Sequence, residues 1–126
     1  MNALLVVLLP ILMTIESSNN PNAVGDNGKA VGVLQIHKIM VDDVNRIAGY
    51  KKFTYKDRWS PVKSKQIARD YFNHYCKYSS KQSRMKQLVI MGRKWNGGPR
   101  GHRRKATVKY GLKVAKAYEE AYASSF

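Results

Sequence analysis

The chain has 126 residues, enough for one domain with a sizeable core, and 44% of them are hydrophobic, which excludes an intrinsically disordered segment. Lys and Arg outnumber Asp and Glu by 23 to 8, a formal charge of +15, so an anionic partner is expected: nucleic acid, an anionic membrane, or an acidic polymer such as a bacterial envelope. A single cysteine, Cys76, excludes an intramolecular disulfide. Its setting in the apolar-periodic stretch YFNHYCKY suits a packed, inert thiol better than a catalytic one.

The opening MNALLVVLLPILM is too short for a standard membrane span and contains Pro10. No Lys or Arg precedes it and no small-x-small cleavage site follows. A buried helix over about 3–17, apolar on nearly all sides, is therefore expected in preference to an export signal or anchor, with Pro10 a place for a kink or restart. SNNPNAVGDNGKA, 18–30, is a turn-rich loop by composition, and VGVLQIH after it suits a strand or a helical turn. Ile39, Met40, Val44 and Ile47 would share one helical face, ended by Gly49. Residues 50–59 read as an irregular connection.

Ser60 followed by Pro61 is a helix start, and Ile67, Tyr71, Phe72 and Tyr75 supply that helix's apolar face. Another helix should begin near Ser80 or Ser83 and run through Met85, Leu88 and Val89 towards Trp95, broken by NGGPRG at 96–101. The last helix, about 104–123, would bury the stripe Val108, Leu112, Ala115, Tyr118 and Tyr122. No repeat or low-complexity segment interrupts this layout of about five helices, so the fold class is mainly α with at most a small β-hairpin, in one domain covering 1–126. From Lys77 to Lys116 there are many Lys and Arg and no Asp or Glu, which could be simply a solvated basic surface.

Glu16 is the residue placed for chemistry. On a regular helix Leu12 and Met13 lie one turn back on its face, and Ile15 adjoins it. A carboxyl among apolar groups favours its neutral form, as a general acid requires. The plain alternative is a helix-end glutamate facing water. In the loop that follows, Gly25, Asn27 and Gly28 permit left-handed backbone, and Gly32 permits a close approach. Gln35, the polar residue among Val33, Leu34 and Ile36, should hydrogen-bond either backbone or ligand. In KWNGGP an aromatic ring sits beside an amide, a combination that suits a sugar.

These residues resemble a family. Glu16–Ser17, the NPNA of Asn20–Ala23, Gly28, Gly32 and Gln35–Ile36 are similar to the soluble lytic transglycosylase domain of the lysozyme-like superfamily. KWNGGP, Lys94–Pro99, is similar to its Tyr-Asn-Ala-Gly-Pro segment, with Trp95 for tyrosine, and Thr107–Val114 resembles its Thr-x-x-Tyr helix motif. The three regions come in the family's order and span 16–114. GDNGKAVGVLQIHK also resembles a goose-type lysozyme segment, where an aspartate matching Asp26 positions the attacking water. A second aspartate of that family is replaced here by His37, a departure from the pattern.

The resemblance implies peptidoglycan glycan strands as substrate, cut at the β-1,4 bond between N-acetylmuramic acid and N-acetylglucosamine, with Glu16 as general acid. Either Glu16 then acts as base and closes a 1,6-anhydro ring, or a second carboxylate, Asp26, activates water from the opposite face. For Asp26 the plain alternative is a side chain organising its own turn. Gln35 and Asn96 would hydrogen-bond the sugar, Trp95 would line the site, and Tyr110 would orient Glu16; Trp95 and Tyr110 also suit a core. His74, His102 and Cys76 lack metal-ligand spacing, so neither metal nor other cofactor is expected. The cationic surface would hold a monomer to the anionic cell envelope, in a phage lysis or virion enzyme or an exported bacterial one. Two rivals stand beside this: a catalytically silent lysozyme-like wall-binding or virion protein, and a basic nucleic-acid binder, for which RKWNGGPRGHRRKATVK has the composition but no recognised motif.

Overall fold

A computed structural model describes residues 2–77, 79 and 81–122. The order of elements is α1 (Asn2–Ser17), β1 (Val24–Gly25), β2 (Ala30–Val31), α2 (Lys38–Ala48), α3 (Pro61–Tyr75), α4 (Arg84–Gly97) and α5 (Val108–Tyr122), with short 3-10 turns at Asp26–Gly28, Tyr55–Trp59, Gly101–Arg103 and Lys105–Thr107. The fold is mainly α. Its β structure among the described residues is one two-stranded antiparallel ladder, with Val24 opposite Val31 and Gly25 opposite Ala30, and an isolated bridge between Val31 and Ile36. The residues form two compact units, Met13–His74 and Met1–Leu12 with Tyr75–Phe126.

α1 runs through Pro10 without a break. Proline removes the amide that would bond the carbonyl of Val6, and Val6 is 74% exposed, so that carbonyl lies on the side where water can replace the lost donor. Leu4, Leu5, Leu8, Leu9, Ile11 and Leu12 are buried. Among the described residues no helix is long and apolar enough to cross a membrane.

In the Met13–His74 unit, α2 ends as expected at Gly49, left-handed at φ 84°, whose amide reaches the carbonyls of Asn45 and Arg46. Of its expected face Val44 is buried, as is Val41, and Met40 and Ile47 are half-buried, whereas Ile39 is 75% exposed. Residues 41 and 44 lie three apart on one face, and Ile39 is turned about 200° from Val41. The connection after α2 is more ordered than its composition suggested. Asn45 exchanges two hydrogen bonds of 2.9 Å with the backbone of Phe53, and Thr54 and Asp57 form a capping box on the 3-10 turn. Ser60 caps α3 by accepting from the Lys63 amide at 3.2 Å, and Ile67, Ala68, Tyr71 and Phe72 are its buried apolar side chains.

In the other unit, Ser83 caps α4 by accepting from the Lys86 amide at 3.1 Å; the alternative start at Ser80 lies outside the described residues. The helix continues two residues past Trp95, to Gly97. α5 begins at Val108 rather than 104, and its expected stripe is corrected. Val108 and Leu112 are 43% and 64% exposed, whereas Tyr110, Gly111 and Val114 are buried. Two glycines set this choice. A Cβ at Gly92 would lie 2.6 Å from Val114 Cγ2, and one at Gly111 would lie 3.0 Å from Arg93 Cδ, so α4 and α5 close where each lacks a side chain.

Candidate active site

Glu16 occupies the last turn of α1 and is half-buried. Leu12, one turn back, is fully buried, and Met13 and Ile15 are half-buried. The helix stops because Ser18 and Asn19 turn left-handed, at φ 52° and 65°. Their amides reach back to Thr14 O at 3.0 Å and Met13 O at 3.1 Å. Ser17 then fixes the end in place. Its hydroxyl donates to Val33 O at 2.8 Å and to Met13 O at 3.2 Å, and accepts from the Asn20 amide at 3.1 Å. The side chain beside Glu16 thus ties the helix end to the loop. In the sequence Ser17 was half of a Glu-Ser pair and no more, because a bond spanning sixteen residues leaves no local pattern.

That loop is braced throughout. Asn20 Oδ1 accepts from the Asn22 amide at 2.9 Å, an Asx turn in NPNA. Gly32 donates to Ala23 O at 2.9 Å. Gln35, at φ 52°, donates its amide to Ala23 O at 3.1 Å and Gly32 O at 3.0 Å. Of its two expected roles, it takes the backbone one here. Gly25 is needed beside it, since a Cβ there would lie 2.4 Å from Gln35 Oε1. Beneath the loop, Arg58 is 7% exposed and donates to Tyr55 O at 2.8 Å, Ile36 O at 3.0 Å and Lys29 O at 3.4 Å. Burial pushes its pKa below the ordinary guanidinium value, yet arginine stays charged. Sequence reading passed over Arg58, which carries no motif. Among the described residues every non-glycine with positive φ lies between 18 and 35: Ser18, Asn19, Asp26, Asn27 and Gln35. Such backbone is uncommon for L-residues and gathers where surrounding structure enforces it.

Asp26, at φ 50°, does not organise its own turn through its side chain. Among the described residues its carboxylate has one partner, His37, with Asp26 Oδ2 at 3.1 Å from His37 Nε2. The two side chains are 59% and 40% exposed.

Trp95, Asn96 and Tyr110 belong to the other unit. Trp95 is 6% exposed, so the ring surface expected to meet a sugar is largely covered. Asn96, next to it, is exposed. Tyr110 is 8% exposed and lies near Gly92, where a Cβ would be 3.7 Å from the tyrosine ring. The NGGPRG break is pinned by Thr107, itself 2% exposed. The Thr107 hydroxyl donates to Gly101 O and Arg104 O at 2.5 and 2.9 Å, and accepts from Arg93 Nε at 2.9 Å. Arg93 Nη2 donates to Arg104 O at 2.8 Å. Gly101 has no alternative, as a Cβ would stand 2.0 Å from Arg93 O. The Thr-x-x-Tyr segment therefore joins the glycine-rich break to the start of α5. Burial, with Lys94, Arg103 and Arg93 nearby, lowers the pKa of His102 in the same break. Cys76 is buried and its thiol is pushed up to about 11 by burial, as an inert thiol should be. Among the described residues no group of three or more His, Cys, Asp or Glu could hold a metal ion.

The family model of the transglycosylase SLT domain matches residues 1–118. The chain belongs to that family. This makes it a transglycosylase SLT domain of the lysozyme-like superfamily, a lytic-transglycosylase type whose substrate is cell-wall peptidoglycan. The match covers the loop after Glu16, the glycine-rich break and the Thr-x-x-Tyr segment alike; it does not extend to a kinship with goose-type lysozyme. No curated protein and no solved structure matches the chain.

Proposed function

We propose that this SLT domain cleaves the β-1,4 bond between N-acetylmuramic acid and N-acetylglucosamine, with Glu16 as general acid. The observation that carries the reading is the mounting of Glu16. It is half-buried on the last helical turn, and its neighbour Ser17 is bonded to Val33 O of the braced loop. A proton donor held by rigid surroundings is what glycosidic bond cleavage needs.

Glu16 would protonate the bridging oxygen as the bond to the muramic acid breaks. The sugar is then closed by its own C6 hydroxyl or attacked by water, and Asp26 is the acidic residue serving water. Asn96, exposed beside the glycine-rich break, would hydrogen-bond the glycan. Gln35 would act by shaping the loop while its Oε1 faces a sugar group. The acid-free run Lys77–Lys116 would hold the enzyme to phosphate and carboxylate groups of the envelope.

The test is digestion of purified peptidoglycan followed by mass spectrometry of the released fragments. Soluble disaccharide-peptides with anhydro or reducing muramic ends support the reading. Binding without release would make the domain a silent wall-binding protein.

A further inference from the structure

The outer face of α5 presents cations and apolar side chains together. Val108 and Leu112 are 43% and 64% exposed, and Lys109, Lys113 and Lys116 are exposed around them. At 3.6 residues per turn, Leu112 lies within about 60° of Val108, Lys109 and Lys116, and about 100° from Lys113. The opposite side of the helix is taken, since Tyr110, Gly111 and Val114 are buried. Arg103, Arg104 and Lys105, just before the helix, are exposed as well. Among the described residues none of these cations joins an ion pair. The acids of α5, Glu119 and Glu120, are exposed in its last turn. Positive charge and apolar surface therefore concentrate towards its N-terminal end.

An exposed leucine alone is ordinary. An apolar pair four residues apart, framed by unpaired lysines, narrows what the face can meet. A second copy of the chain would set like charges against each other. A polyanionic strand would engage the lysines and leave Val108 and Leu112 in water. An anionic bilayer satisfies both: phosphates take the ammonium groups, lysine stems lie along apolar surface, and the branched side chains reach the acyl boundary. No helix among the described residues can cross a membrane, so the contact is adsorption in the plane of the surface.

We propose that the N-terminal part of α5 is an adsorption surface for an anionic phospholipid bilayer, with Lys105, Lys109, Lys113 and Lys116 on headgroup phosphates and Val108 and Leu112 at the acyl boundary. Adsorption of this kind needs no catalysis, so it stands or falls apart from the role of Glu16. It would hold the domain at the membrane that underlies its polymer substrate.

Sedimentation of the full chain with phosphatidylglycerol vesicles tests this, with phosphatidylcholine vesicles and lipid-free purified peptidoglycan measured beside them. The wild type should bind phosphatidylglycerol and leave phosphatidylcholine vesicles bare. Leu112→Gln should weaken that binding by about tenfold, the lower end of what burying a leucine side chain contributes. Its binding to peptidoglycan and its helical spectrum should not change. Lys109→Gln and Lys113→Gln should each weaken vesicle binding by about fivefold, a difference that shrinks as salt is raised. Ile39→Gln is the control: Ile39 is 75% exposed but stands one turn before Asp42 and Asp43, and its loss should leave vesicle binding as it was. The proposal is overturned if the wild type ignores phosphatidylglycerol vesicles or binds both lipids equally. It is overturned too if Leu112→Gln binds vesicles like the wild type, loses as much on peptidoglycan, or is matched by Ile39→Gln.

Discussion

Replacing Gly32 with alanine should destabilise the protein far more than the same change at Gly28. Both glycines are left-handed, at φ 83° and 88°, so both variants carry the conformational penalty of about 1–2 kcal/mol for an L-residue there. Their surroundings differ. A Cβ at Gly28 meets nothing within 4 Å, whereas one at Gly32 would lie 2.0 Å from Arg58 O, a backbone atom. Relief requires the Arg58 carbonyl to move, and that carbonyl accepts the buried Ser64 hydroxyl at 2.8 Å. Losing such a bond costs about 1–3 kcal/mol. The Arg58 guanidinium, bonded to Ile36 O at 3.0 Å, would shift with it. Together these give about 2–5 kcal/mol for Gly32→Ala against about 1–2 for Gly28→Ala. Urea unfolding followed by far-UV circular dichroism measures the difference, and thermal melts should separate the variants by roughly 4 °C or more. Equal destabilisation of the two would refute the packing of Arg58 beneath the loop, and with it the bracing of the site.

The thiol of Cys76 should react about 100-fold more slowly with iodoacetamide at pH 8 than an ordinary thiol near 9.0, since burial pushes it up to about 11. Because the folded value is the higher one, this group's contribution to stability is complete below about pH 9 and is lost as pH rises towards 11; urea unfolding at several alkaline pH values, compared with Cys76→Ala, reads that slope. Binding to cell walls should weaken steeply as salt is raised from about 0.1 M to 1 M, where the screening length shrinks from about 10 Å to 3 Å; pelleting with purified walls measures it, and indifference to salt would separate the +15 charge from wall binding.

Local chemistry made several elements legible in the sequence. Gly49 as a left-handed stop, Ser60–Pro61 as a start and Ser83 as a cap each act within a few residues, and each stands where expected. On α2 only Ile39 of the expected face is exposed, whereas the α5 face was misjudged: that helix carries two apolar stripes, and the choice between them depends on what the partner element offers. For α5 that was the missing side chains of Gly92 and Gly111, which no periodicity reports. The ladder Val24–Gly25 with Ala30–Val31 has strands two residues long, too short to alternate visibly. Pro10 signalled a break that an exposed Val6 makes unnecessary.

At the site, Glu16 stood out because an acid among Leu12, Met13 and Ile15 is chemically conspicuous. Ser17, Arg58 and the Asp26–His37 pairing did not, since each depends on a partner at least eleven residues away or on backbone carbonyls that every residue possesses. For Trp95 the sequence left sugar contact and core both open, since an aromatic in a helix serves either, and the residue is 6% exposed.

The central claim is that Glu16 donates the proton that breaks the glycosidic bond. Release of soluble fragments from purified peptidoglycan by Glu16→Gln, beside the wild type at matched wall occupancy, measures it most directly. Release should fall by about 100-fold or more, with the helical spectrum and wall binding unchanged. Wild-type release by the variant would contradict the account.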